Sequence, residues 1–346
     1  MRFAMRALAA AGPLLRGFAS SSEHASLIKQ LRVMSGAPIS DVKACLEASG
    51  WDLDGAYNGL RQKGMAAAVK KASRHASEGL VGLATAGPQS ATIVEVNCET
   101  DFVARNELFQ GLVLKLAQAA MSVPARSGRY HELELEKVMK APTSSGSSVS
   151  EACAEVAGQV RENVRIRRAF RVKTTTGLIS SYIHQSLCPG LGRIASLVLL
   201  EPKSRIPLRQ ENWEKVDKVG QQLAMHVAGM RPLYLHRKLI PDEIVDHERM
   251  TIRHQASSSG KPAKVVNSIV QGRLEKYFAE HVLVDQPFIA DDSVQVKDVV
   301  HSLSKDIETR LTIPFYLRVQ CGEGLDAART DFAEEVSSLT QEHMSQ

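Results

Sequence analysis

The sequence predicts an α+β protein with an N-terminal three-helix domain and a core of two related hairpin-plus-helix subdomains. A protruding antiparallel helical hairpin and a C-terminal helix complete it. Three observations predict this. Apolar residues recur at helical spacing near the N-terminus; the order strand, turn, strand, helix occurs twice in the middle; and two thin amphipathic helices around a Ser/Gly/Pro break follow the second occurrence. At about 150 residues per domain, the 346 residues fit two or three domains.

Residues 1–22 carry Arg2, Arg6 and Arg16, several Ala and Leu, a Ser run and no acid before Glu23. That basic, acid-poor, amphipathic composition reads as a mitochondrial presequence, with Arg16-Gly17-Phe18 before Ala19-Ser20 resembling a matrix-protease site. Gly12-Pro13 would break the apolar core of a secretory signal, whereas a chloroplast transit peptide stays open as the alternative.

Residues 25–66 read as three short helices. Leu27, Ile28, Leu31 and Met34 form the first stripe, stopped by Gly36 and Pro38. Ser40 or Asp41 caps a second helix carrying Val42, Cys45 and Leu46 up to Gly50. Asp52 caps a third, with Leu53, Ala56, Tyr57 and Leu60 on one face and Gly64 past its end. The unit suits a small ubiquitin-associated-type (UBA-like) domain. An Ala/Lys-rich connector over 65–78 leads to the strands Leu80–Ala86 and Thr92–Cys98 around Gly87-Pro88-Gln89-Ser90. A helix follows on Phe109, Leu112, Val113, Leu116, Ala117, Ala120 and Met121. Beyond an exposed loop at 142–150 come a helix from Ser150 to Asn163 and a strand over Val164–Lys173.

The order then repeats: strands Leu178–Ile183 and Ile194–Glu201, and a helix from Trp213 to Ala228 with Val216, Val219, Leu223 and Val227 on one face. Pro241 starts the first helix of the helical hairpin, Ser257 to Pro262 breaks it, and the second helix runs from Lys264 to Phe278. Its apolar seam is Ile244, Val245, Ile252, Val265, Ile269 and Leu274. A strand Ile313–Val319 and a helix Asp331–Leu339 end the chain. The expected division is a presequence at 1–22, a UBA-like domain at 25–66, core subdomains at 71–172 and at 173–240 with 280–322, the hairpin (coiled-coil or dimerisation type) at 241–279, and a C-terminal module at 323–346.

Composition narrows the function. Apolar residues are 44%, charged 23% and aromatic only 5%, and part of the +5 net charge belongs to the leader. A uniformly basic or base-stacking nucleic-acid surface is therefore not expected. The five scattered cysteines form no Cys-x-x-Cys pair and read as buried or half-buried free thiols. Gly260-Lys261-Pro262 is not a phosphate loop, neither His131-Glu132 nor His247-Glu248 continues into a zinc motif, and no Gly-x-Ser-x-Gly elbow exists. The reading is a protein that is not an enzyme, takes no cofactor or metal, and has no small-molecule substrate, membrane span or direct nucleic-acid contact.

One segment stands out. Asn97-Cys98-Glu99-Thr100-Asp101-Phe102-Val103-Ala104-Arg105-Asn106 ends a strand in a polar cluster and then sets a large apolar side chain beside an acid. From the residues alone, Thr100 or Asp101 caps the next helix with Phe102 tucked back as a hydrophobic staple, or Phe102 faces outward to a partner. The segment closely resembles the signature of the elongation factor Ts family. Also similar to that family, in the same order, are Glu162-Asn163-Val164-Arg165-Ile166-Arg167-Arg168, Ser181-Tyr182-Ile183-His184, Ala224-Met225-His226-Val227-Ala228, Val270-Gln271-Gly272-Arg273 and Thr330-Asp331-Phe332-Ala333.

The resemblance implies a guanine nucleotide exchange factor that binds mitochondrial elongation factor Tu in its GDP form. It would promote loss of GDP and magnesium and so recycle that GTPase for translation elongation in the matrix. Phe102 would be the wedge and Asp101 its hydrogen-bonding support, with Thr100 and Val103 beside them. Arg32 and Ile39 of the helical domain, Val160, His184, and Met225 and His226 would supply further partner contacts, and the helical hairpin would serve in a homodimer. An RNA- or ribosome-binding module of the mitochondrial translation machinery is the alternative, and a ubiquitin-type adaptor built on residues 25–66 a weaker one.

Overall fold

The computed structural model describes residues 21–71, 73–124, 130–204, 206–257 and 262–325. The predicted presequence up to residue 20, the break at 258–261 and the predicted helix 331–339 lie outside the described residues. The chain is mixed α and β, and it parts into two compact units between Ala66 and Ala67.

In the smaller unit α1 (Ser21–Ser35), α2 (Ile39–Ala48) and the first part of α3 (Leu53–Lys71) enclose Leu31, Val42, Leu46, Ala56 and Leu60. Asp52 caps α3, its carboxylate accepting the Gly55 N–H at 2.8 Å. Three expectations fail locally. Met34 is half out of the core at 50% exposure, one turn beyond the buried Leu31. Neither Ser40 nor Asp41 caps α2, because the helix already begins at Ile39 after Pro38, and Asp41 instead accepts from Lys63 at 2.6 Å. Gly64 does not end α3. The Met65-Ala66-Ala67-Ala68 run that follows is strongly helix-forming and outweighs the roughly 1 kcal/mol that an internal glycine costs.

The larger unit begins with β1 (Glu78–Thr85) and β2 (Ser90–Cys98), antiparallel with Leu80 opposite Val96. A one-turn helix α4 (Asp101–Ala104) leads into α5 (Glu107–Ala120), which lays Phe109, Leu112, Val113 and Leu116 on the hairpin. Then come β3 (Tyr130–Glu132), α6 (Leu135–Lys140), α7 (Val149–Val160) and β4 (Arg165–Lys173). The helix predicted to reach Asn163 stops at Val160, because Arg161 takes the left-handed conformation with φ 61°.

The second half runs β5 (Leu178–His184), β6 (Leu191–Gly192), β7 (Ile194–Pro202) and α8 (Trp213–Met230). It continues through the helical hairpin α9 (Asp242–Ser257) and α10 (Ala263–His281), the short β8 (Pro287–Phe288) and β9 (Asp291–Gln295), α11 (Val296–Asp306) and β10 (Leu311–Gln320). Among the described residues the strands form a five-stranded sheet, β3-β4-β2-β1-β6, a three-stranded sheet, β10-β7-β5, and the β8-β9 ribbon.

Each larger sheet has helices on one face and the other sheet's apolar residues on the other. Val81, Ile93, Phe170 and Val172 of the first meet Ile179, Leu197, Leu199 and Val319 of the second. The helix-covered faces have separate cores, one on α5 and α7 and one on α8 and α11. A glycine lets helix and hairpin close in each half. A Cβ on Gly82 of β1 would sit 2.8 Å from a Val113 methyl, and one on Gly220 of α8 would sit 2.1 Å from the Ser180 hydroxyl.

A buried carboxylate joins the two sheets. Glu95 of β2 is fully buried, pairs with Arg167 and Arg168 of β4, and accepts the Gly322 N–H after β10 at 2.8 Å. A bulge opposite Glu95 and Val96 lets two successive arginines reach it.

In the helical hairpin the seam is Ile252, Ala256, Val266, Val270 and Leu274, with Ile269 and Phe278 against it. The expected seam residues Ile244 and Val265 are exposed, at 40% and 43%. Val266 and Val270 share one face at i and i+4, and Val265 lies one position round the helix from them. Arg237 ties the base together: it donates to Asp285 at 2.6 Å and to both oxygens of Glu275, and its guanidinium lies 4.5 Å from the Phe278 ring centre.

Candidate functional site

The segment singled out by its sequence forms the corner between β2 and α5. Thr100 is the N-cap of α4: its hydroxyl accepts the Val103 N–H at 3.4 Å. Val103 and Ala104 are buried, so they fasten the turn to the core under α5. Asn106 then caps α5 by accepting the Leu108 N–H at 2.8 Å. With those neighbours fixed, Phe102 is 79% exposed. It is not a staple tucked back on the helix.

Asp101 takes no part in capping. Its carboxylate pairs with Arg105 one turn on, at 2.9 Å, where the arginine is 74% exposed. An exposed i, i+4 pair contributes under about 1 kcal/mol, so the carboxylate can change partner readily.

The loop is held from behind. Glu162 accepts the N–H groups of Glu99 and Thr100 at 3.0 and 2.9 Å and the Thr100 hydroxyl at 2.6 Å. Cys98 donates its thiol to the Thr100 carbonyl at 3.2 Å. Burial pushes that thiol's pKa well up, so it stays a neutral donor.

The other predicted contacts are scattered. Arg32 is exposed and Ile39 is 51% exposed, both in the smaller unit, beside exposed Val33 and Met34. Val160 is half-buried against the first core. His184 is exposed at the end of β5, its Nδ1 3.4 Å from the Tyr182 hydroxyl. The segment after it, Gln185 to Gly190, bridges the halves: the Leu83 N–H donates to the Gly190 carbonyl at 2.8 Å, and Leu191 and Gly192 pair with β1.

Met225 is half-buried, and His226 is not a surface residue at all. Its Nε2 lies 2.9 Å from the Gln286 side-chain oxygen, its Nδ1 accepts the Ile289 N–H at 3.2 Å, and its ring stacks on Phe288. Burial lowers its pKa, partly opposed by the Gln286 hydrogen bond, so the ring is a neutral structural bridge. Ala224, Val227 and Ala228 are buried with it. What α8 exposes near its end is Met230, at 40%, with Leu233 and Ile289 also exposed.

Among the described residues no group of His, Cys, Asp and Glu could hold a metal ion, and no helix is long and apolar enough to cross a membrane.

The family model described as "Elongation factor TS" matches residues 99–323, from the strand end before Phe102 to the turn after β10. The chain belongs to the elongation factor Ts family. The family acts as a nucleotide exchange factor for elongation factor Tu. One relative is "Elongation factor Ts, mitochondrial" of Zea mays, 41% identical over 93% of this chain and 86% of its own length. The protein of the same description from Arabidopsis thaliana is 40% identical over 91% and 82%. "Elongation factor Ts" of Paramagnetospirillum magneticum is 38% identical over 91% and 96%.

Proposed function

We propose that the chain is the exchange factor of a mitochondrial elongation factor Tu, binding its GDP form and driving loss of GDP and magnesium by inserting Phe102 into an apolar slot. One observation carries this reading. A 79% exposed phenylalanine stands on a one-turn helix whose next two residues are buried, so an apolar ring is held out on a fixed base. Burying such a ring contributes about 2 kcal/mol, and it can be realised only in a complex. If the slot opens when the elements supporting magnesium shift, factor and nucleotide weaken each other's binding by the same factor.

In this reading Asp101 leaves Arg105 to hydrogen-bond the partner, while Thr100 and Val103 hold the turn rather than meet the GTPase. Arg32 and Ile39 of a UBA-like domain, Val160 and His184 add contacts outside the wedge; Met225 and the exposed Met230 end of α8 replace His226. The basic, acid-poor leader and the relatives described as mitochondrial support delivery to the matrix. The helical hairpin, with Ile244, Met250 and Val265 exposed, is the part suited to meeting a second copy.

The test is GDP release from mitochondrial elongation factor Tu, with and without the protein. Release that the protein does not accelerate overturns the function. Unchanged acceleration by Phe102→Ala overturns the wedge.

A further inference from the structure

Three chain segments meet behind the Phe102 turn. Between α7 and β4, the Glu162 carboxylate reaches 62 residues back in the chain to accept three donors of Glu99 and Thr100, including the hydroxyl at 2.6 Å. Glu99 answers by accepting the Asn163 N–H at 2.6 Å. Asn163 donates its side-chain amide to the Arg74 carbonyl at 2.8 Å, and the Arg74 guanidinium stands 3.6 Å from Glu99. Lys71, at the end of α3, donates to the Arg161 carbonyl at 2.6 Å.

The Thr100 hydroxyl thus donates to Glu162 while accepting from Val103, a charge-assisted chain that ends on the backbone next to Phe102. A helix of one turn has little stability of its own, since the first turn fixes several dihedrals for one hydrogen bond. Beneath Phe102 it has Val103 and Ala104 in the core; from the side it has this carboxylate.

We infer that Glu162, with Glu99 as its reciprocal partner, is a positioning residue for nucleotide exchange: it fixes the direction in which Phe102 is presented. The inference rests on the wedge reading above. Without Glu162, two N–H groups and a hydroxyl at a half-buried site lose their acceptor. The turn then samples orientations that must be reordered during binding, which lowers the fraction of complexes with the ring seated.

The experiment uses the full chain as Glu162→Ala, Glu162→Gln, Phe102→Ala and the Glu162→Ala/Phe102→Ala double variant. GDP release from the partner GTPase is measured at saturating factor, with the melting temperature recorded for each. Glu162→Ala is expected to lower the maximal release rate about tenfold. Glu162→Gln keeps one acceptor but turns an amide NH2 toward donors, so it falls between the two. In the Phe102→Ala background, Glu162→Ala should change nothing further, because a positioning residue has no effect once the positioned ring is gone.

Should Phe102→Ala be crippled while Glu162→Ala releases GDP at the wild-type rate, the positioning role is overturned and the wedge stands. An equal loss from Glu162→Ala with and without Phe102 also overturns it, as general damage to the fold. Wild-type release by Phe102→Ala overturns the wedge and this inference with it. If Glu162→Ala fails to fold, the isosteric Glu162→Gln gives the same comparison.

Discussion

Each half of the larger unit turns the same corner, from the second strand of a hairpin into the helix lying across it, and each places an aromatic ring there. In the second half, Trp213 at the start of α8 folds inward. It packs on the second core and donates its indole N–H to the Leu208 carbonyl at 3.1 Å. In the first half, Phe102 faces outward from the extra turn α4, although both of its C-terminal neighbours are buried. The corner can therefore be closed with its ring inside. A ring left outside on a fastened turn contributes nothing to this fold and is available to a partner.

The halves differ elsewhere in the same sense. Between the main helix and the last strand, the described residues of the first half form β3, α6 and α7, whereas the second accommodates the whole helical hairpin before α11. Arg237 and Asp285 fasten that insertion at its base.

Substitutions can sharpen this contrast, beginning with the largest effect. Glu95→Ala leaves Arg167 and Arg168 without their shared carboxylate between the sheets, and is expected to cost about 3 kcal/mol in urea unfolding. Trp213→Ala removes a half-buried ring and its hydrogen bond, and should cost about 2 kcal/mol while the folded protein still accelerates GDP release. Gly82→Ala and Gly220→Ala test the close approach of helix and hairpin in each half. Gly82→Ala should cost about 1–2 kcal/mol, and Gly220→Ala somewhat more, since its methyl meets Ser180 nearer.

The smallest effect is a pH dependence. His226 is held neutral, with its folded pKa below the unfolded value of about 6.5. The unfolded chain thus binds more protons in that window, so stability is full above about pH 6.5 and is lost as pH falls through the folded value. His226→Asn should flatten the unfolding free energy between pH 7 and 5. Asp285 acts with the same sign at lower pH. Burial opposes its ionisation, but hydrogen bonds and charges from Arg237 and Lys297 outweigh burial and depress its pKa. Its contribution is lost as pH falls below about 4.

Both hairpins were legible as apolar runs around Gly/Pro turns, their strands being buried on both faces. Both main helices were legible because their buried residues repeat every 3.6, as with Phe109, Leu112, Val113 and Leu116. The three residues of β3 and the single turn of α4 are too short to show a period. In α11 the buried Val296, Val300 and Leu303 do keep helical spacing, but no element is assigned to that stretch from sequence. The seam of the helical hairpin was misjudged by one helical position at Val265, since thin stripes leave the register weakly determined.

At the site, Phe102 stood out because its segment resembles the family signature; from the residues alone a capped helix start with the ring tucked back explains it. His226 was misplaced on the surface, since its burial depends on Gln286 and Ile289, about sixty residues later. Glu162 opens one of the family-like motifs, but its role is not legible there for the same reason: its hydrogen bonds are made across a span that no local pattern reports.

The contrast between the two rings is tested most directly by measuring, on one preparation each of Phe102→Ala and Trp213→Ala, both the melting temperature and the acceleration of GDP release from mitochondrial elongation factor Tu. Phe102→Ala should melt with the wild type, as exposed substitutions shift stability by less than about 0.5 kcal/mol, yet lose most of its exchange activity. Trp213→Ala should do the reverse. Full exchange activity in a well-folded Phe102→Ala protein would contradict the account.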